Sequence, residues 1–368
     1  MRLTILALTT LLALPATAAE FQTSAGPVEV TRIGPEFEFP WAVAFLPSGD
    51  MLVTERSGRL YLMSPEGDRR RVTGVPRVWA ENQGGLLDVA ISPDFERSNR
   101  IYLTYAKSAG LGAAQTAVWA GTLNVIGASL NDGQDIFLQQ PALNGGRHFG
   151  SRIAFAPNGD LFVTLGDRGS SDQVQDMGNH IGKVVRLRPD GRPSPENPIV
   201  PNGFRPEIWS MGHRNPQGAA IRPSDGTLWT VEHGARGGDE INRPEAGRNY
   251  GWPVISYGRH YSGGRIGEGT EKEGMEQPEY YWDPSIAPSG LAFHLGRSFP
   301  EWYGDLFVGA LRDQKIVRLD ISGEEIVDSE TLFEGAFGRI RDVRSGPDGN
   351  LWFVTDEPDG GVYTVTPL

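Results

Sequence analysis

The sequence has no cysteine, few histidines and an excess of acidic over basic residues. The absence of cysteine excludes disulfide bonds, thiolate catalysis and cysteine-ligated metals. The six histidines show neither His-x-x-x-His nor His-Glu-x-x-His spacing, which disfavours a histidine-based zinc site. A formal net charge of −12 argues against nucleic acid or an anionic membrane surface as the partner. No Gly-x-Ser-x-Gly motif occurs, so a serine hydrolase has no support.

Long hydrophobic runs are missing after the N-terminus. Residues 1–18 carry one charge, Arg2, then an apolar run and a small-residue stretch that ends at Ala18. This arrangement is typical of a cleaved secretory signal, since the run is short for a bilayer span of about 20 residues. An uncleaved N-terminal anchor is the alternative. We expect a mature protein, residues 19–368, that is periplasmic or secreted and not inserted in a membrane.

Helical patterns are nearly absent, whereas glycine and proline are abundant, with 48 and 27 copies. This composition suits many short strands joined by turns. One pattern recurs, in which an apolar strand, a Pro or Asp/Asn-Gly turn and a Leu-aromatic-Val strand follow each other. Its six copies are residues 43–56, 88–106, 153–167, 219–234, 290–311 and 343–357. Their spacing of roughly 58 residues predicts an all-β protein, a six-bladed β-propeller with four-stranded antiparallel blades in a single domain, 19–368.

Each repeated unit is a small sheet that cannot bury its faces alone, so the units are expected to stack around one axis. Two β-sandwiches are the alternative, but the repeat is regular and no linker composition divides the chain. We expect the ring to close by pairing of the strand near residues 28–31 with the last blade near residues 361–367. Residues 255–285 form a long polar insertion that is expected to lie over one face.

Polar residues at the ends of the repeated hairpins are the candidates for chemistry. His148 precedes the third hairpin and suits a general base near neutral pH, with a purely structural histidine as the alternative. Gly234 to Glu240 could offer carbonyl and carboxylate oxygens to Ca²⁺, although an ordinary turn would look the same.

Four arginines also fall at these blade ends: Arg214, Arg312, Arg339 and Arg341. The last two alternate along a predicted strand and therefore point to one face. Grouped guanidinium groups in an acidic protein suggest a multiply anionic ligand. Ion pairing with nearby Asp313, Asp342 and Glu334 is the alternative.

Six motifs occur in a fixed order along the chain: QGGLLDVAISPDF, GRHFGSRIAFAPNGDLFVTLGD, GHRNPQG, EHGARGGDEIN, GRNYGWP and GRIRDV. Together they closely resemble the soluble quinoprotein glucose dehydrogenase family, and its aldose sugar dehydrogenase branch in particular, over nearly the whole mature chain. Members of that family are six-bladed propellers that bind pyrroloquinoline quinone (PQQ) and Ca²⁺. The resemblance therefore implies oxidation of aldose sugars at C1 to aldonolactones by hydride transfer to PQQ, with an electron acceptor that the sequence does not identify.

The resemblance also implies roles for individual residues. His148 matches the catalytic base, with Asp167 a reasonable orienting partner, and Arg214 would stabilise charge on the quinone oxygen. Positions that match quinone contacts are Gln83, Arg214, Asn215, Arg312, Arg339 and Arg341. Positions that match Ca²⁺ ligands are Gly234 and Ala235 for the cofactor's ion, and Glu240 and Tyr250 for a structural ion. The resemblance further implies that Tyr261 stacks on the quinone and that Trp282 lines the sugar cleft.

The sequence departs from the glucose dehydrogenase branch at several places. Arg147 stands where that branch has an acidic residue near the sugar, and Arg312 replaces a lysine. These departures leave the preferred sugar and the oligomeric state open. Two other functions also remain, a Ca²⁺-dependent propeller lactonase and a non-catalytic periplasmic binding propeller, but neither needs the cluster of arginines.

Overall fold

A computed structural model describes residues 18–368, and the regular secondary structure of these residues is almost entirely β-strand. Helix in this part of the chain is limited to one α-helical turn, α1 (Phe95–Ser98), and two 3₁₀ turns, Ser171–Gln173 and Pro300–Trp302. The predicted signal segment, residues 1–18, lies outside the described residues except for Ala18. None of the helices described is long and apolar enough to span a membrane.

The strands form six sheets, numbered here as blades 1 to 6 along the chain. Two strands precede blade 1, namely β1 (Ala18–Thr23) and β2 (Gly26–Phe37). Blade 1 contains β3 (Pro40–Phe45), β4 (Met51–Glu55), β5 (Arg59–Met63) and β6 (Arg69–Val72). Blade 2 contains β7 (Leu86–Ile91), β8 (Arg100–Gly110), β9 (Ala113–Asn124), β10 (Ser129–Leu138) and the short β11 (Leu143–Asn144).

The remaining blades follow in the same order. Blade 3 contains β12 (Gly150–Phe155), β13 (Leu161–Leu165), β14 (Lys183–Leu187) and β15 (Ile208–Met211). Blade 4 contains β16 (Pro216–Ile221), β17 (Leu228–Glu232), β18 (Asp239–Asn242) and β19 (Tyr280–Trp282). Blade 5 contains β20 (Pro288–Phe293), β21 (Leu306–Ala310), β22 (Lys315–Ser322) and β23 (Glu325–Leu332). Blade 6 contains β24 (Ile340–Ser345), β25 (Leu351–Thr355) and β26 (Gly360–Pro367).

The blades are antiparallel and arranged in a ring, which confirms the predicted six-bladed β-propeller. Each predicted hairpin supplies the first two strands of one blade, and the first strands of neighbouring blades contact each other around the axis. Blade 6 has only three strands of its own and takes its fourth from β2, with Val28 opposite Pro367 and Thr31 opposite Thr364. The predicted closure of the ring is thus confirmed. Strand β1 adds a fifth strand to this sheet, which the sequence did not suggest.

The hydrophobic core lies between blades rather than within one central layer. One cluster joins Tyr102 and Val118 of blade 2 to Ile153, Leu161 and Val163 of blade 3. Because every blade is covered on both sides, the second strands of five blades are buried along their whole length, as in β13, and the longer β8 of blade 2 is buried in its first half. Strands buried on both faces are continuously apolar, which explains the Leu-aromatic-Val signature of the repeat.

Each inner strand carries a β-bulge near its first residue. The register shifts lie between Pro40 and Ala42, Leu86 and Val89, Gly150 and Ile153, Pro216 and Gly218, Pro288 and Leu291, and Ile340 and Asp342. Bulges bend a strand and redirect its side chains, and they are common next to functional sites. All six are at the same end of the ring, where the predicted polar loops also meet.

The predicted insertion at residues 255–285 is not a loop throughout, because it includes strand β19. The irregular part lies between β18 and β19 of blade 4. Its backbone pairs with the preceding Gly-rich loop, since Arg236 and Arg259 form an antiparallel bridge. These contacts hold the insertion beside the end of the ring that carries the bulges.

Candidate active site

All six blades contribute to a small cavity at the bulged end of the ring. It has a volume of about 200 Å³ and is lined by Trp41, Arg56, Gln83, His148, Arg214, Asn215, Gln217, His233, Tyr261, Ala287, Leu311, Arg339, Arg341 and Asp356. A wider outer cavity of about 760 Å³ adjoins it and shares His233, Tyr261 and Ala287 with it. Gly234, Ala235 and Arg312 line this outer cavity. The structure therefore brings ten of the thirteen predicted site residues together, and Glu240, Tyr250 and Trp282 lie elsewhere.

Hydrogen bonds fix both the backbone and the ring of His148. Its backbone N–H donates a hydrogen bond of 2.7 Å to Gln83 Oε1, and its residue adopts a positive φ of 55°. Its ring Nδ1 lies 2.7 Å from Asp167 Oδ1. Since an ionised carboxylate only accepts, this contact assigns the ring proton to Nδ1 and leaves Nε2 free to accept a proton.

Asp167 is a buried carboxylate with donors on both oxygens. Its Oδ1 also accepts the N–H of Gly169 at 2.7 Å, and its Oδ2 accepts the indole N–H of Trp252 at 2.9 Å. Burial would raise the pKa of Asp167, but the hydrogen bond and charge of His148 outweigh this and lower it. Asp167 is therefore ionised at neutral pH and fixes the orientation of the His148 ring.

The loop that carries His148 is fixed by a second residue, Arg168. Its guanidinium donates to the carbonyl oxygens of Arg147, Ala114 and Gly145 at 2.9, 2.7 and 2.6 Å. Burial lowers the pKa of Arg168 to about 10, so it stays charged at neutral pH. Sequence reasoning missed this residue, although it directly follows Asp167.

Two of the predicted arginines that line the small cavity each have a buried donor without a partner. Arg341 donates to Gln217 Oε1 at 2.8 Å and to Asp356 Oδ2 at 2.6 Å, and Arg339 is 3.4 Å from the same Asp356 oxygen. The Nε atoms of Arg214 and Arg341 are buried and form no hydrogen bond. Buried unpartnered donors carry an energetic cost, which an anionic ligand would remove.

Ion pairing accounts for only part of this cluster. Arg312 is 3.9 Å from Asp313, as the alternative required, but Asp342 and Glu334 pair with other residues. The one carboxylate shared by Arg339 and Arg341 is Asp356, which sequence reasoning missed. A signal was present, because Glu55, Asp167, Glu232 and Asp356 all follow or end the second strand of a repeat.

The main-chain carbonyls that directly follow β17 accept hydrogen bonds from a cationic side chain. Arg214 Nη1 donates to the carbonyl oxygens of Gly234 and His233, the latter at 3.2 Å. No group of three or more His, Cys, Asp or Glu side chains within residues 18–368 could hold a metal ion. A divalent ion at Gly234 and Ala235 would therefore be bound by carbonyl oxygens and by oxygens of another ligand.

Glu240 and Tyr250 belong to a separate cluster of side chains that also contains Glu232 and His213. Glu240 lies opposite Glu232 on paired strands, and Asn242 donates to both carboxylates at 3.3 and 3.1 Å. Burial raises the pKa of Glu240, and the charge of Glu232 raises it further. The ring of Tyr250 stacks at 5.0 Å on His213, which contacts Glu232 at 2.9 Å.

Trp282 lies on the outer strand of blade 4. It pairs with Asp239 in the sheet and packs against Tyr280 with ring centroids 4.9 Å apart. It is not among the residues that line either cavity.

The sequence of this chain is similar to a known protein family and to individual characterised proteins. The sequence model of the family described as glucose/sorbosone dehydrogenase matches residues 37–364. The chain is 43% identical over 345 residues to the aldose sugar dehydrogenase YliI of Escherichia coli (strain K12), covering 92% of this chain and 93% of that protein.

Two solved structures share both the fold and recognisable sequence. The soluble aldose sugar dehydrogenase of Escherichia coli in its apo-form superimposes with a TM-score of 0.90 at 43% identity, over 93% of this chain and 100% of that one. The PQQ-bound aldose sugar dehydrogenase of Streptomyces coelicolor gives a TM-score of 0.78 at 27% identity, over 96% and 99% of the two chains.

Proposed function

Because the chain belongs to the glucose/sorbosone dehydrogenase family, and is therefore an oxidoreductase, we propose that it oxidises aldose sugars at C1 with PQQ and Ca²⁺. The product is the aldonolactone. The observation that supports this proposal best is the placement of the His148–Asp167 pair in one cavity with Arg214, Arg339 and Arg341. A base, His148, and the anion-binding donors of three arginines therefore line the same cavity.

The residues of the cavity fit PQQ, a planar tricarboxylate. The buried Nε donors of Arg214 and Arg341 lack partners, and Gln83 and Asn215 add amide groups to the cavity wall. We assign quinone contacts to Gln83, Arg214, Asn215, Tyr261, Arg312, Arg339 and Arg341. Several guanidinium groups against three carboxylates explain why an acidic protein gathers arginines here.

The carbonyl oxygens of Gly234 and Ala235 would hold the Ca²⁺ ion of the cofactor. In this structure the Gly234 oxygen accepts a hydrogen bond from the guanidinium of Arg214, so this carbonyl is turned toward a cationic partner and is an oxygen ligand of the kind that Ca²⁺ takes. We further assign Glu240 and the Tyr250 carbonyl to a second, structural Ca²⁺. An ion there would offset the repulsion between the buried carboxylates of Glu240 and Glu232.

When bound, PQQ supplies the two-electron acceptor for the hydride that leaves C1, and Ca²⁺ supplies a Lewis acid beside it. The free Nε2 of His148 accepts the proton of the C1 hydroxyl as the C1–O double bond forms. Asp167 keeps the imidazole in the required tautomer and stabilises the imidazolium. Arg214 is a fixed cationic donor for the negative charge that develops opposite the base.

We also propose that the protein works in the periplasm or outside the cell after cleavage of residues 1–18. Its substrates are then small aldose sugars, and the electrons pass to an acceptor yet to be identified. We assign Trp282, which directly precedes Asp283 of the outer cavity, to the far edge of the sugar cleft.

The proposal is tested by reconstitution of the purified protein with PQQ and Ca²⁺. Reduction of an electron-acceptor dye is followed with a panel of aldoses, with each component left out in turn. We expect dye reduction only when quinone, Ca²⁺ and sugar are all present. His148→Ala should retain quinone binding but lose nearly all turnover. Hydrolysis of a lactone without quinone would instead identify the protein as a propeller lactonase.

A further inference from the structure

Three exposed arginines surround the mouth of the candidate active site without a carboxylate partner. Arg236 and Arg259 line the outer cavity, and Arg147 directly precedes His148. The ion pairs of this mouth involve other residues, namely His148 with Asp167, Arg312 with Asp313, and Arg339 and Arg341 with Asp356. The guanidinium groups of Arg147, Arg236 and Arg259 form none within residues 18–368, so their charge is open to solvent.

Backbone pairing places the side chains of Arg236 and Arg259 next to each other. The N–H of Arg236 donates to the carbonyl of Arg259 at 3.0 Å, and the reverse hydrogen bond is 3.1 Å long. Residues directly opposite in an antiparallel bridge have adjacent side chains, and like charges in such a pair destabilise it. Among residues 18–368 the one carboxylate that lines the outer cavity, Asp283, lies against the backbone of Gly237. An anion between the two guanidinium groups would remove this repulsion.

The cofactor does not account for these three residues. In the proposed assignment Arg312, Arg339 and Arg341 face its three carboxylates, Arg214 serves the quinone oxygen, and bound Ca²⁺ would add further positive charge. The chain as a whole has a formal net charge of −12, so an arginine-rich rim is not a property of its surface in general. The mouth therefore stays positive with PQQ in place, and a neutral sugar makes no use of that charge.

We propose that Arg147, Arg236 and Arg259 select aldoses that carry an anionic group, a carboxylate or a phosphate, away from C1. This inference rests on the proposed sugar oxidation. The free hydroxyl at C1 faces His148, and the anionic end of the sugar faces the arginine rim. A rim of one sign raises the encounter rate of oppositely charged substrates by about 10-fold or more at low salt.

The test compares four pyranoses that share the free C1 position and differ in charge: glucose, glucuronic acid, glucose 6-phosphate and glucosamine. Reduction of the bound quinone is followed in stopped flow without an electron acceptor, so that the charge of the acceptor has no influence. We expect the second-order rate constant to be about 10-fold higher for an anionic sugar than for glucose, and lowest for glucosamine. Because the Debye length shrinks to about 3 Å at 1 M salt, added salt should remove this order.

Charge-removing variants connect the preference to these residues. Arg236→Gln with Arg259→Gln, and Arg147→Gln, should each lower the ratio of the anionic to the glucose rate constant several-fold. Arg297→Gln is the matched control, because it removes an exposed arginine at the opposite mouth of the ring and should leave the ratio unchanged.

Each outcome has a defined meaning. A gain for glucuronic acid alone assigns carboxylate sugars, and a gain for glucose 6-phosphate alone assigns phosphorylated ones. Equal rate constants for all four sugars, or a ratio that survives loss of the three arginines, would overturn the inference while the proposed oxidation stands. Absence of quinone reduction by every sugar, glucose included, would refute the proposed function and this inference together.

Discussion

His148 experiences opposite influences on its basicity. Burial lowers the pKa of its ring below the usual value of about 6.5, the hydrogen bond to Asp167 raises it, and the charges of Arg214 and Arg147 lower it again. The result is a pKa below the usual one. The histidine is therefore neutral and able to accept a proton at neutral and slightly acidic pH.

The first prediction concerns the acid limb of activity. Since only the neutral ring accepts a proton, kcat/KM should fall as the pH drops through the lowered pKa of His148. Asp167→Asn removes the carboxylate that raises this pKa, so the limb should move to lower pH, and turnover should fall by about 100-fold or more. Profiles of kcat/KM for glucose between about pH 5 and 8 measure both effects. A limb that does not move would mean that Asp167 does not control His148.

Trp252→Phe should shift the same limb in the opposite direction. This change removes the indole N–H that donates to Asp167 at 2.9 Å and keeps a ring to pack near Arg214. A carboxylate with one donor fewer holds its proton more tightly and stabilises the imidazolium more, so the pKa of His148 should rise. The same pH series measures it, and quinone affinity serves as the control for an intact cavity. A shift to lower pH would contradict this account.

For individual residues, the sequence predicted which residues form the candidate active site better than it predicted their hydrogen-bond partners. His148, Arg214 and Arg341 belong to unusual local motifs, and each lines the small cavity of the candidate active site. Trp252 was missed because its partner lies far along the chain, whereas Asp356 pairs with Arg341 only 15 residues away and was missed although its place after the second strand of a repeat was a signal. The Trp252 bond to Asp167 spans 85 residues and joins two blades, which no local pattern records.

At the scale of strands, the sequence repeat can be detected in those strands that have the same environment in every blade. The first two strands of each blade pack between neighbours, so their sequences stay similar. The outer strands are partly exposed and vary more. In blade 4 the third and fourth strands are separated by the long insertion, and for this reason β19 was taken as part of a loop.

Strand β13 offers a test of the core between blades. Leu161 is fully buried and packs in the cluster shared by blades 2 and 3. Leu161→Ala should lower the free energy of unfolding by about 2–5 kcal/mol, through lost burial and the cavity left behind. Ile126→Ala is the control, because this side chain is 91% exposed. Denaturant titrations measure both variants, and an equal effect would place the core elsewhere.

At the scale of the molecule, a buried charge network joins blades across the central channel. Arg152 of blade 3 contacts Asp88 of blade 2 at 2.9 Å and Asp342 of blade 6 at 3.2 Å. Arg344 contacts the same two carboxylates at 3.0 and 2.9 Å. These side chains lie between the active-site cavity and the cavity of about 770 Å³ at the opposite mouth. The network therefore separates the two cavities, and the proposed quinone site opens to one end of the ring.

Removal of Arg152 should destabilise the whole ring. Arg152→Ala leaves two buried carboxylates with one partner fewer, and breaking a buried pair in this way costs about 3–5 kcal/mol. The thermal midpoint should fall, and added salt should not mask the effect because the group is buried. Arg248→Ala removes an exposed ion pair and should leave the midpoint unchanged. Equal midpoints for the two variants would show that the network does not hold the blades together.

The pairing of β2 with β26 has one more consequence. The sheet that closes the ring is built from both sequence ends of the propeller, and the N–H of Leu368 donates to the carbonyl of Pro27 at 3.1 Å. A short peptide could therefore join these positions covalently, and new ends could be opened in a connection between two other blades. Such a circularly permuted chain would lose β1 but keep the strand pairings of all six blades, because the order of blades around a ring does not depend on where the polypeptide starts.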